Sequence, residues 1–207
     1  MTTPTNIIRD LRALMPPRRL SYADATTIAE RQANGLRELL GLADTPELPL
    51  GTIEALPRIE VRRRYDLPVS GLTHWHNGRW LILLNGDEPE TRQRFSLAHE
   101  LKHVIDHSSR DYTCWDDRMQ TANQKGERLA DYFAACLLMP KRHVKSLWGK
   151  YRNVQVLADR FSVSSAAMSV RLSQLGLLDS RQRCSTAPAA WRPFSRRYYR
   201  PRNGLLT

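Results

Sequence analysis

The sequence predicts an α+β fold, a small antiparallel sheet followed by helices, and three observations carry that expectation. The stretches "IEVRRRYDLP" and "SGLTHWHNGRWLILLNG" hold the alternating or apolar runs of strands, and Asn77-Gly78 inside the second is the strongest short-range signal for a two-residue hairpin turn. "DEPE" then sets up a helix start, with Asp87 as N-cap, Pro89 in the first turn and Glu90 in the capping-box position. Further on, Leu129, Phe133, Cys136 and Leu137 form an apolar stripe at helical spacing, closed by Pro140.

Taken in order, residues 1–20, ending in "MPPRRL", read as a flexible arm. Between Ala23 and about Leu42, Ile28, Leu36, Leu39 and Leu40 return at helical intervals, with Gly41 as the stop. "LPLGTIEAL" offers a second short helix ahead of the strand and the hairpin. The helix begun at "DEPE" is expected to run from about Glu88 to His107, and "DYTCWDDRMQ" to form a loop. The apolar stripe then lies on a helix from Thr121 to Met139, and two shorter helices, Val154 to Phe161 and Ser165 to Leu175, close the ordered part. The expected division is a core over 21–145, a helix-turn-helix-like segment over 146–180 and a basic, disordered tail over 181–207.

Composition narrows the classes. With 207 residues and 41% hydrophobic content, the chain can bury an ordinary core and carry a small appendage. No run is long and apolar enough to span a bilayer, and the N-terminus lacks the pattern of a secretory signal, so a cytoplasmic protein without membrane contact is expected. Cys114, Cys136 and Cys184 form no CxxC pair and read as free thiols. The net charge of +11 favours acidic partners and is concentrated late: residues 181–207 hold seven arginines and no acid, a tail suited to non-specific DNA contact.

The chemistry is concentrated in "FSLAHELKHVIDH", Phe95 to His107. His99 and His103, four apart on a helix, project from nearly one face and can reach one metal ion, while Glu100 lies about 100° around the axis. This is the HExxH signature of a zincin-like metallopeptidase core: two imidazoles bind Zn²⁺ and the glutamate acts as general base. His107 continues the row, but its Cα lies about 12 Å along the helix from that of His99, too far to share the ion, so a packing or surface role is expected. A metzincin would put its third histidine where Ser109 stands. A third ligand must come from elsewhere. Glu127, near the start of the next helix, leads, with Asp131 as an alternative ligand or as an acceptor that orients a histidine, and Asp106, Asp111, Asp116 and Asp117 remaining open. His74 and His76 alternate on a strand and read as an exposed hairpin face.

"RQRFSLAHELKH" followed by "ERLADYFAACLLMP" resembles the ImmA/IrrE family of metallopeptidases, over roughly Ile28 to Leu178 and including the "SGL" stretch and Asn85. The resemblance implies His99, His103 and Glu127 as zinc ligands, Glu100 as catalytic base, and cleavage of helix-turn-helix repressors of phages, mobile elements or stress regulons. Three positions depart from the family pattern: Lys102 replaces a glycine, Leu129 a frequent glutamate and Asp131 an asparagine. Lys102 is expected to bring a positive charge beside the site, and a strand such as Trp80 to Leu84 to pair with an extended substrate.

"VLADRFSVSSAAMSVRLSQLGLL" resembles a helix-turn-helix, although Ser165, Ala166, Ser169, Arg171 and Gln174 give its second helix few side chains that read bases. A helical lid or substrate-docking surface is the competing expectation. Two functions are therefore carried forward: a zinc endopeptidase that cleaves a DNA-binding repressor, and a DNA-binding regulator whose peptidase site is idle or structural.

Overall fold

The computed structural model describes residues 7–107 and 122–178. Among these the order is α1 (Ile7–Ala13), α2 (Tyr22–Leu39), α3 (Leu50–Glu54), β1 (Ile59–Arg64), β2 (Gly71–His76), β3 (Arg79–Asn85), α4 (Glu90–Asp106), α5 (Ala122–Leu138), α6 (Lys141–Tyr151), α7 (Val154–Phe161) and α8 (Ser165–Gln174). The fold is mixed α+β, with eight helices and one three-stranded sheet among the described residues.

The expected hairpin forms as its chemistry dictates. Asn77 and Gly78 sit at φ 47° and 77°, the left-handed pair required by a tight turn that matches strand twist, and β2 runs antiparallel to β3 with Trp75 opposite Trp80. The sheet as a whole is not antiparallel, which corrects the sequence expectation: β1 pairs with β3 in parallel, from Ile59 opposite Trp80 to Arg64 opposite Asn85, and the order is β1-β3-β2. The chain leaves β1, crosses the end of β3 and descends as β2 on its far side. Asn85 secures this crossing, since its Nδ2 donates to Leu67 O at 3.1 Å while its Oδ1 accepts from Asp87 N at 2.9 Å. β3 is therefore central and paired on both edges, so it has no edge left for a substrate, contrary to the expectation for Trp80 to Leu84; among the described residues the outer edges belong to β1 and β2.

The helix entry after β3 also differs in detail. Pro89, not Asp87, occupies the N-cap, and no side chain caps the end. Pro89 has no N-H for the glutamate of a capping box to satisfy, and its carbonyl accepts the first bonds of the helix, from Arg92 N at 2.8 Å and Gln93 N at 3.0 Å. Once formed, α4 is buried almost all round from Ser96 to Ile105, between the sheet and α5, with α1 also against it. The two arginines of "RQRF" anchor its first turns, Arg94 Nη2 donating to Leu48 O at 2.7 Å and Arg92 Nη2 to Ser70 Oγ at 3.3 Å.

α2 begins at Ser21, whose hydroxyl accepts from Asp24 N at 3.1 Å, and its small buried residues Ala25, Ala29 and Ala33 allow close packing on α5. The expected flexible arm is in part a helix: Leu11 of α1 is buried, and Arg12 donates from Nη2 to Val104 O at 2.8 Å and from Nε to Ile105 O at 3.1 Å. Those carbonyls lie in the last turn of α4, where a cation satisfies groups that have no partner within the helix. α6 was not foreseen, and it runs through the expected division at 145/146. Val144 and Trp148 of α6, Leu157 and Phe161 of α7 and Met168 and Leu172 of α8 belong to one hydrophobic core with the sheet and α1 to α5. Asp111, Asp116, Asp117, Cys114 and the basic tail lie outside the described residues.

Candidate metal centre

The inner face of α4 and the first turns of α5 converge on one point. His99 Nε2 and His103 Nε2 are 3.0 Å apart, and Glu127 reaches both, with Oε2 at 3.3 Å from His99 Nε2 and Oε1 at 3.3 Å from His103 Nε2. A tetrahedral ion with bonds of about 2.0 to 2.1 Å separates its ligand atoms by roughly 3.3 Å. The three side chains thus bring one ligand atom each to within 4.8 Å of one another, close to the spacing of a tetrahedral face, and the chemistry of the set, two imidazoles and a carboxylate, suits zinc. Glu127 Oε2 is buried, with His99 Nε2 at 3.3 Å but not aligned as a well-formed hydrogen bond, an arrangement that suits a ligand oxygen. The residues present therefore fit the ion.

The electrostatics of the metal-free site follow from the same contacts. Burial disfavours a charged His99, but hydrogen bonds from Asp131 and Glu127 outweigh it and lift the imidazole to about 9. Burial likewise opposes the charge on Glu127, and the hydrogen bonds of His103 and His99 overcome it, holding the carboxyl far below its ordinary value.

Asp131 lies on the far side of the His99 ring, accepting from Nδ1 at 2.8 Å. It cannot reach an ion held at Nε2, so of the two roles open to it the orienting one is realised. Its acceptor fixes the tautomer that leaves Nε2 toward His103 and Glu127. Asp106 is drawn elsewhere, into a 2.6 Å pair with Lys102.

Glu100 stands beside the three candidate ligands, close enough to act on the charge of His99, with its carboxylate against β2. Its Oε2 accepts from Thr73 Oγ1 at 2.8 Å, and a Cβ on Gly71 would stand only 3.2 Å from its Cγ. The carboxylate is thus wedged between helix and strand, buried and positioned without serving as a ligand. Thr73 escaped the sequence reading. The signal was present in the alternation of β2, which puts Gly71, Thr73 and Trp75 on the one face turned to α4.

Lys102 does not bring its charge to the site, contrary to expectation. It is buried, and its Nζ donates to Gln32 Oε1 at 2.7 Å and Asp106 Oδ1 at 2.6 Å, within 5.8 Å of the Phe133 ring centroid. The side chain that replaces a glycine therefore fills the seam between α4, α2 and α5. His107 packs its ring edge-on to Trp80 at 4.7 Å, and His74 and His76 are exposed on the hairpin, both as expected. Arg171, the one charged residue of α8, is turned inward, with Nε donating to Met139 O at 3.1 Å.

Residues 57–173 match the family model of the IrrE N-terminal-like domain, peptidase M78. Among solved structures, a Mycobacterium tuberculosis transcriptional regulator has a similar fold, with a TM-score of 0.56 and 22% sequence identity. The match covers 87% of this chain and 55% of that one, so the chain spans about half the length of that regulator. No curated protein matches the chain. No helix among the described residues is long and apolar enough to cross a membrane. From Pro57 through Ser173, β1 to α8, the chain belongs to the IrrE N-terminal-like family of peptidase-type domains.

Proposed function

We propose that the protein is a zinc-dependent endopeptidase that cleaves a DNA-binding repressor of the helix-turn-helix type and so relieves repression. The observation that carries the chemical part is the convergence of His99, His103 and Glu127 at ligand spacing, with Glu100 held beside them and outside the ligand set. Zinc bound there supplies the Lewis acidity for attack of water on the scissile carbonyl. Glu100 takes the proton from the attacking water and delivers it to the leaving amine. Thr73 holds one carboxylate oxygen, so that this transfer proceeds from a fixed position. The core is read as zincin-like on the same grounds.

The free edge of β2 supplies a track for the substrate. A two-residue hairpin closes on a hydrogen-bonded pair, here His76 and Arg79, and bonded and non-bonded pairs then alternate. Trp80 accordingly gives its N-H to Arg58 O at 2.7 Å, on the side of β1. Gly71, Thr73 and Trp75 turn their own N-H and C=O outward, where an extended peptide can pair as an added strand and pass Glu100.

The regulatory part rests on the family's link to transcriptional regulators and on the likeness to the mycobacterial regulator. The second reading, DNA recognition by α7 and α8, loses support from the inward-turned Arg171, which leaves α8 without an outward cation. The helix-turn-helix-like pair serves better as a helical extension of the peptidase. The test is incubation of zinc-loaded wild type and Glu100→Gln with a helix-turn-helix repressor encoded beside this protein. Wild type is expected to cut it and Glu100→Gln to keep zinc without cutting; equal cleavage by both would falsify the assignment of Glu100.

A further inference from the structure

A cavity of about 600 Å³ opens at the hairpin end of the sheet, where α1 begins and α4 ends. That volume lies in the range of sites that enclose small ligands or a few side chains. Three rings line it: Trp75 and Trp80 meet edge to face at 5.0 Å, and His107 stands against Trp80 at 4.7 Å. Trp80 is buried but Trp75 is 45% exposed, a large indole left facing solvent at the mouth of an apolar cavity. Three guanidiniums, of Arg9, Arg12 and Arg58, also line it, and among the described residues no carboxylate does. Arg12 is committed to the carbonyls of Val104 and Ile105. Among the described residues Arg9 makes an exposed 3.9 Å pair with Asp10, a contact of little strength, so Arg9 and Arg58 have charge to offer an incoming acid.

Position connects this cavity to the cleft. Trp75 lies two residues beyond Thr73 on the same face of β2, about 7 Å along the strand. A peptide paired with the β2 edge and passing Glu100 therefore carries a side chain to the cavity mouth. Resting on the peptidase reading above, we propose that this cavity is a specificity pocket that takes an aromatic or large apolar side chain of the substrate, flanked by acidic residues that meet Arg9 and Arg58. A polypeptide is favoured over nucleic acid because the backbone groups of the β2 edge match an extended peptide and lead to the candidate base.

The test uses full-length, zinc-loaded Glu100→Gln and short fluorescent peptides with a phenylalanine flanked by aspartates, the phenylalanine replaced by alanine, or the aspartates replaced by lysines. The acidic phenylalanine peptide is expected to bind about tenfold more tightly than either control. Adding Trp75→Ala is expected to remove the advantage of phenylalanine, and adding Arg58→Glu to reverse the charge preference, with zinc content and thermal unfolding unchanged. Equal binding of the three peptides, or an unaltered preference in both variants, overturns the pocket, as does tighter binding of a single-stranded oligonucleotide at the same residues. The peptidase reading fails separately: selective binding by Glu100→Gln without any cleavage by wild type supports the pocket and overturns the enzyme, whereas cleavage without selectivity does the reverse.

Discussion

Glu100 is buried so close to β2 that a Cβ on Gly71 would stand 3.2 Å from its Cγ and 3.3 Å from its Oε1, and the Glu100 side chain would have to shift to admit it. Gly71→Ala is therefore expected to push the carboxylate out of line, retaining zinc but lowering kcat by about tenfold to a hundredfold, as a displaced catalytic group does. Steady-state kinetics beside metal analysis check this. The imidazole of His99 gives a second prediction. Its folded pKa of about 9 exceeds the ordinary 6.5, so in the metal-free protein its stabilising contribution is full below about 6.5 and lost as pH rises through about 9. The same proton competes with the ion. Zinc affinity should rise with pH, by up to about tenfold per unit, and level off near 9, as isothermal titration across that range will show. HExxH was legible at this scale because four-residue spacing fixes which side chains share a helix face. Thr73 and the orienting role of Asp131 were less so, because their partners lie 27 and 32 residues away.

At the scale of elements, what could be read depended on how local the cause was. The Asn77-Gly78 turn follows from the φ values two residues prefer, and α5, α7 and α8 follow from apolar periodicity and their stops. The parallel pairing of β1 depends instead on a path across β3, fixed by Asn85 and Leu67, which no local pattern encodes. α1 was hidden for a similar reason: its burial is set by α2 and α4, and the prolines after it dominate the local signal. Lys102 follows the same rule, since only the fold shows Gln32 and Asp106 within reach. It should matter for stability and not for catalysis. Lys102→Ala, which opens a void and strips the partner from Asp106, is expected to cost about 3 kcal/mol in chemical denaturation. Lys102→Met should cost less by filling the volume, and both should bind zinc as wild type does.

Across the whole molecule, the core that runs from α1 to α8 makes the C-terminal helices part of the body that presents the site. Arg171 fastens α8 to the last turn of α5, whose first turns carry Glu127, so the same helix joins the candidate metal centre to the C-terminal extension. The sheet contributes from the other side, with Thr73 of β2 holding Glu100. The central claim is that α4 and α5 together form a zinc site from His99, His103 and Glu127. Metal analysis of the purified protein tests it most directly. Wild type and Glu100→Gln are expected to hold about one zinc per chain, and Glu127→Ala to lose it. Full zinc occupancy in Glu127→Ala would contradict the claim.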